Sequence, residues 1–161
     1  MNISIGVDDR IEAVLLTYSD MVIRIAYQNT KNMADAEDIA QEVFLKRMTA
    51  APEFESKEHE KAWIIRVTVN LCKDFLKSAW FRKRAALDEA LPTHDESTEV
   101  LDAVMRLPVK FRNAIYLYYY EDMPVAQIAE ILQQKENTVS SWLYRARKLL
   151  KKSLTGGFDD E

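Results

Sequence analysis

Apolar residues recur along this chain at helical rather than strand spacing. From about Asp8 to Thr30, about Asp35 to Met48 and about Lys57 to Trp80 they return every three or four positions, the interval that lines one face of a helix. In DAEDIAQEVFLK, Asp35 to Lys46, one face takes Ala36, Ile39, Ala40, Val43 and Phe44, and the other takes Glu37, Asp38, Gln41 and Glu42. In the third segment Ile64, Val67, Leu71 and Phe75 form the apolar face. The pattern resumes at about Thr98 with Leu101, Val104 and Met105, breaks near Pro108, and continues through Phe111, Ile115 and Tyr118. Alternating β-branched runs are scarce, so the chain is predicted to be all-α.

The most specific pattern lies between Val125 and Arg147. Val125, Ile128, Ala129 and Leu132 make an apolar stripe on a helix that opens just after Pro124. Val139, Trp142, Leu143, Ala146, Leu149 and Leu150 make a second stripe, and only Gln133, Gln134 and Lys135 separate the two. So short a connection forces two amphipathic helices to cross steeply, with small Ala129 permitting close approach. This is helix-turn-helix spacing. The face opposite the second stripe carries Asn137, Thr138, Ser140, Ser141, Tyr144, Arg145 and Lys148, residue types that serve grooves and phosphates.

Charge separates this reading from a merely solvated hairpin. Lys135 to Lys152 holds six bases and one acid, a net of +5 in a chain of net −4, so the remainder carries −9. A basic patch on an acidic protein is a local electrostatic footprint suited to phosphate. Between Arg84 and Arg106, by contrast, there are six acids and no lysine or arginine. The stretch 84–97, with Pro92 in its middle, reads as an acidic flexible linker between two small helical domains, 1–83 and 98–154, followed by a tail, 155–161. Fully extended, Arg84 to Thr98 spans no more than ~46–50 Å.

Other features narrow the function. A single cysteine, Cys72, excludes an internal disulfide framework, fits a reducing cytosol and is expected to be a small buried residue. No apolar run approaches the roughly eighteen residues of a membrane span, and Met1 to Arg10 is not a signal peptide, so a cytoplasmic protein without direct membrane insertion is expected. His59 and His94 stand apart with no metal-ligand spacing, and carboxylates lie on exposed helix faces. No enzyme, metal, cofactor or small-molecule substrate is expected.

Two further faces carry polar patterns. Asp35 can cap its helix, and Asp35 and Asp38 suit the positive helix start, but Glu37, Gln41 and Glu42 extend past the first turn as an acidic ridge. Arg66, Asn70, Lys73 and Lys77 follow at spacings of four, three and four, a basic stripe running on into Trp80-Phe81-Arg82-Lys83-Arg84. Aromatics interleaved with bases suit a nucleic-acid backbone or unstacked bases. Trp63 is either a further stacking platform or core.

Together these residues resemble the extracytoplasmic function (ECF) group of the sigma-70 family of bacterial RNA polymerase sigma factors, from about Asp9 to Leu154. DAEDIAQEVFLK is similar to region 2.2, AWIIRVTVNLCKDFLK to regions 2.3 and 2.4, and LPVKFRNAIYLYYYEDMPVAQIAEIL with ENTVSSWLYRARKLL to region 4. The resemblance implies binding to core RNA polymerase, promoter recognition at minus-35 and minus-10 elements, DNA melting and a cognate anti-sigma factor, in service of a stress or envelope-response regulon. It places Glu37, Asp38, Gln41 and Glu42 at core polymerase. Arg66, Asn70, Lys73 and Lys77 fall at the single-stranded minus-10 element. The loop Ala50 to Glu58, offering Phe54 and Ser56, falls where a flipped-out base is cradled.

Asn137, Thr138, Ser140, Ser141, Tyr144, Arg145 and Lys148 then face the duplex minus-35 element. Lys148 and Lys151 would meet phosphates, Arg145 a guanine and Asn137 an adenine. The acidic linker would pass through the polymerase. The chain departs from the family pattern at Gln133, where glycine is usual, and at Lys135, where serine is usual; a left-handed glutamine costs ~1 kcal/mol. The alternative is a two-domain helix-turn-helix regulator that binds duplex DNA independently of polymerase.

Overall fold

A computed structural model describes the backbone of residues 5–50, 53–83 and 99–155, and side chains within 10–50, 53–78 and 99–155. All regular elements among them are helical, and the chain divides into two compact units, residues 1–78 and 79–161. The acidic stretch 84–97, the side chains of Trp80 to Arg84 and the tail after Thr155 lie outside the described residues.

The first unit is built on α1 (Ile5–Thr30), α2 (Met33–Ala50) and α3 (Lys57–Lys83). Its core comes from one stripe on each helix: Tyr18, Met21, Val22, Ile25 and Ala26 on α1, Ala36, Ile39, Ala40, Val43 and Phe44 on α2, and Ile64, Ile65, Val69 and Cys72 on α3. Alanines at 26, 36 and 40 let α1 and α2 pack closely. Two buried polar side chains bond back to their own helices, whereas the buried Gln28 Nε2 on α1 has no hydrogen-bond partner among the described residues. Thr68 Oγ1 donates to the Ile64 carbonyl at 2.7 Å and Asn29 Nδ2 to the Ile25 carbonyl at 2.7 Å.

Lys31 and Asn32 join α1 to α2. Lys31 is left-handed, φ 59°, and its N–H returns to the Tyr27 carbonyl at 2.6 Å. Asn32, not Asp35, caps α2: its Oδ1 accepts the Asp35 N–H at 2.9 Å. The helix starts earlier than the apolar pattern suggests, so Asp35 falls in its first turn, where a carboxylate faces the positive helix end.

Across the helices, Arg47 of α2 donates from Nε (2.9 Å) and Nη2 (2.8 Å) to Glu60 Oε2 on α3, and the Tyr18 hydroxyl of α1 reaches Glu60 Oε1 at 3.3 Å. One carboxylate thereby ties three helices. Burial first, and then the Glu60 charge, hold the Tyr18 phenol above its ordinary range.

The second unit contains α4 (Glu99–Met105), α5 (Val109–Ile115), α6 (Val125–Leu132) and α7 (Glu136–Thr155). Pro108 and Pro124 stand immediately before α5 and α6 with extended ψ of 148° and 158°, where a missing N–H costs the helix nothing. Beyond α5 the chain widens into a π-type turn at Tyr116–Tyr120, with the Glu121 N–H on the Tyr116 carbonyl at 3.1 Å. Met123, Ile128, Ala129, Ile131, Leu132, Val139, Leu143 and Ala146 fill the core under the helix pair.

On α3, Val67, Leu71 and Phe75 are only half-buried, and Ile65, Val69 and Cys72 join Ile64 in the core instead. Two further expected core positions are exposed. Leu101 is 55% exposed, because two-turn α4 turns Ala103 and Met105 inward instead. Leu149 is 45% exposed, since the buried face of α7 is narrower than the apolar stripe. Arg112 is buried, although nothing in the apolar pattern marks it. Its Nη1 donates to the Met105 and Leu107 carbonyls at 3.0 and 2.5 Å, closing the α4–α5 corner, and burial pushes its guanidinium below the ordinary range.

Candidate nucleic-acid interface

The helix-turn-helix is positioned by the turn at Gln133. This glutamine is left-handed, φ 59° and ψ 49°, with the Gln134 N–H on the Ala129 carbonyl at 2.8 Å and the Gln133 N–H on the Glu130 carbonyl at 3.3 Å. That bonding pattern closes a helix with a left-handed residue that is usually glycine. The Cβ at Gln133 therefore sits in the conformation that disfavours it. Lys135, immediately before α7, accepts the Val139 N–H through its carbonyl at 3.1 Å, and its ammonium has no lone pair to offer the helix start.

On α7 the residues opposite the buried Val139, Leu143 and Ala146 reach solvent. Asn137, Ser140, Tyr144, Arg145, Lys148 and Lys151 are exposed, and Thr138 and Ser141 are half-buried. Lys148 Nζ lies 5.7 Å from the Tyr144 ring centroid, the neighbouring position one helical turn away. Arg147 is used differently from the other bases of this segment. Its Nε donates to the Tyr119 hydroxyl at 2.6 Å, and its guanidinium lies 5.7 and 5.5 Å from the Tyr118 and Tyr119 ring centroids.

In the first unit the acidic ridge is a surface. Glu37, Asp38, Gln41 and Glu42 are all exposed on α2, opposite its core stripe. On α3, Asn70, Lys73 and Lys77 are exposed and Arg66 is half-buried. Their four-three-four spacing keeps them on one side of the helix.

The loop before α3 is held from several sides. Ser56 Oγ accepts the His59 N–H at 3.0 Å, capping α3, and His59 Nδ1 in turn accepts the Glu55 N–H at 3.1 Å. Phe54 packs edge-on to His59 (5.3 Å) and Trp63 (5.7 Å), with the Arg47 guanidinium 5.0 Å from its ring. Phe54 and Ser56 are thus both engaged with the protein's own groups, and Trp63 is half-buried beside Phe54.

Arg47, Glu60, Tyr119 and Arg147 were not marked by spacing. The Arg47–Glu60 and Tyr119–Arg147 pairs lie 13 and 28 residues apart and belong to different elements, so no periodic pattern links them. Among the described residues no group of three or more His, Cys, Asp or Glu is placed to hold a metal ion. No helix among them is long and apolar enough to cross a membrane. Cys72 is buried, and desolvation pushes its thiol up to about 12.

Residues 15–82 match the family model for Sigma-70 region 2, and residues 97–150 match that for Sigma-70, region 4. The chain is 32% identical over 139 residues to the RNA polymerase sigma factor SigV of Bacillus subtilis, a match covering 82% of this chain and 83% of that protein. It is 30% identical over 166 residues to the ECF RNA polymerase sigma factor SigM of the same organism, covering 94% and 99%. Its fold is shared with the sigma factor RpoE of Bartonella quintana, solved in complex with the anti-sigma factor NepR, at TM-score 0.69 and 22% identity over 89% of this chain and 96% of that one. It is shared too with CnrH, solved with the cytosolic domain of CnrY, at TM-score 0.70 and 21% identity over 94% and 91%.

Proposed function

Because this chain belongs to the ECF group of the sigma-70 family of RNA polymerase sigma factors, we propose that it binds core polymerase, directs it to minus-35/minus-10 promoters and helps melt the DNA to start transcription of a stress or envelope-response regulon. The observation that carries this reading is the presence of both sigma regions, in order, on a chain whose polar faces stand clear of its two cores. Domain bounds of 1–83 and 98–154, with 84–97 as linker, follow from the same reading.

The acidic ridge of Glu37, Asp38, Gln41 and Glu42 is the core polymerase contact in this scheme. Being fully outward, it can meet a basic partner without unfolding α2. Arg66, Asn70, Lys73 and Lys77 face the single-stranded minus-10 element, where cations track the backbone and an amide can bond a base edge. Asn137, Thr138, Ser140, Ser141, Tyr144, Arg145 and Lys148 face the duplex minus-35 groove. Arg145 matches guanine and Asn137 adenine, because those are the side chains that bond both acceptors, or donor and acceptor, of those bases.

Net charge −4 opposes free association with DNA, so polymerase binding precedes promoter binding. The chain supplies recognition while the polymerase supplies catalysis, and it acts in the cytoplasm beside the polymerase. An anti-sigma factor would cover the ridge and recognition faces in the silent state.

The test is reconstitution. Core polymerase mixed with the purified chain should select specific duplexes from a randomised library and start transcripts downstream of them. If core polymerase gains no selectivity when the chain is added, the reading fails.

A further inference from the structure

Arg147 lies on one flank of α7 with Ser140 and Lys151, seven residues before and four after it, whereas Thr138 and Arg145 lie on the other flank. A helix lodged in a major groove is bounded on both sides by phosphate backbones, so a long flank side chain can either turn inward to a base edge or, where a neighbouring element holds it, stay on the phosphate side. Arg147 is exposed, and its hydrogen bond at Nε goes to a neutral hydroxyl, that of Tyr119, at 2.6 Å. No carboxylate among the described residues pairs with it. Its two terminal nitrogens keep their fork of N–H donors, the arrangement that grips two oxygens of one phosphate.

The ring side of the guanidinium is also fixed. Tyr118 and Tyr119 stand at 82° to one another, centroids 4.9 Å apart, and both rings lie within 5.7 Å of the cation. They belong to the widened turn before α6, held by the Glu121 N–H on Tyr116 and the Met123 N–H on Leu117. The long arginine side chain is thereby ordered before any ligand arrives, while no carboxylate among the described residues compensates its positive charge.

From this we infer that Arg147 grips a backbone phosphate beside the groove entered by α7, with Tyr119 as its positioning residue. The inference rests on the reading of residues 98–154 as the minus-35 reader, and adds to it a sequence-independent contact.

The test uses holoenzyme assembled from core polymerase and the full chain, on a duplex that wild-type holoenzyme has selected from a randomised library, with affinity followed against salt. Arg147→Gln should weaken binding roughly five- to tenfold and make the slope of log K against log salt shallower by about 0.9, the signature of one lost phosphate contact. Arg147→Lys should keep the slope and still bind more weakly, since an ammonium lacks the fork. Tyr119→Phe should weaken binding roughly two- to threefold with the slope unchanged, and should have no effect in the Arg147→Gln background.

An unchanged slope in Arg147→Gln, or wild-type affinity in Arg147→Lys, overturns the phosphate contact. An equal Tyr119→Phe effect in both backgrounds overturns the positioning role. If wild-type holoenzyme selects no duplex at all, the minus-35 reading itself has failed, a result visible before any variant is made.

Discussion

Arg47 and Glu60 join α2 to α3 through two hydrogen bonds to one carboxylate oxygen, Nε at 2.9 Å and Nη2 at 2.8 Å, while the other oxygen takes the Tyr18 hydroxyl from α1. The pair is only partly exposed, 24% and 15% at the side chains, so it is less screened than a surface ion pair. Glu60→Gln should destabilise the first unit by about 1–3 kcal/mol, because the guanidinium then loses its counter-charge. Arg47→Met should do the same and also release Phe54. Urea midpoints of the two singles and the double give the coupling. Strict additivity would mean the pair contributes no mutual stabilisation.

Gln133 and Lys135 offer a stabilising pair of changes. Gln133→Gly removes the Cβ from a left-handed position, worth about 0.5–1 kcal/mol once the greater freedom of the unfolded glycine is deducted. Lys135→Ser supplies an oxygen where the start of α7 has a cation, worth about 1 kcal/mol. Together they should raise the melting temperature of the second unit by roughly 5–10 °C in calorimetry. A lower melting temperature for Gln133→Gly would show that the glutamine side chain supports the turn in a way its backbone angles do not reveal.

Reversing charge on α2 separates polymerase binding from folding. Asp38→Lys with Glu42→Lys should lower affinity for core polymerase by at least about tenfold while helical content and thermal unfolding stay within about 0.5 kcal/mol of wild type, since both residues are exposed. Titration of labelled chain against core polymerase reads the first quantity and circular dichroism the second. Unaltered core affinity would remove the ridge from the polymerase interface.

Cys72 should be chemically silent in the folded chain. Its thiol is raised from 9.0 to about 12 by burial, so the thiolate that attacks a disulfide reagent is suppressed at neutral pH. The folded state favours the protonated form, so this preference is complete below about pH 9 and is lost as pH rises toward 12. Labelling with an aromatic disulfide at about pH 8 should follow unfolding in urea. Stoichiometric labelling in native buffer would contradict the burial.

Periodicity exposed what is periodic. The seven α-helices among the described residues and the outward faces of α2, α3 and α7 follow from three- and four-residue spacings, and Pro124 marks the start of α6 as expected. The left-handed turn at Gln133 was legible only through resemblance to a motif that favours glycine there. Core membership failed at Leu101 and Leu149, where an apolar residue on a helix edge has no neighbour to bury it. The cap of α2 was misplaced because Asn32 lies before the apolar pattern begins. Long-range pairs such as Tyr119 with Arg147 depend on how elements meet in space, which no local spacing encodes.

Lys31, Asp122 and Gln133 all carry a Cβ at φ near 60°, and the chain's three glycines, Gly6, Gly156 and Gly157, are elsewhere. A side chain narrows the left-handed basin that glycine would leave broad. The joints between α1 and α2, before α6, and between α6 and α7 are accordingly stiff hinges with little torsional slack. If the helix pair enters a DNA groove as proposed, less of its binding energy would go into ordering the joint than a glycine hinge would require.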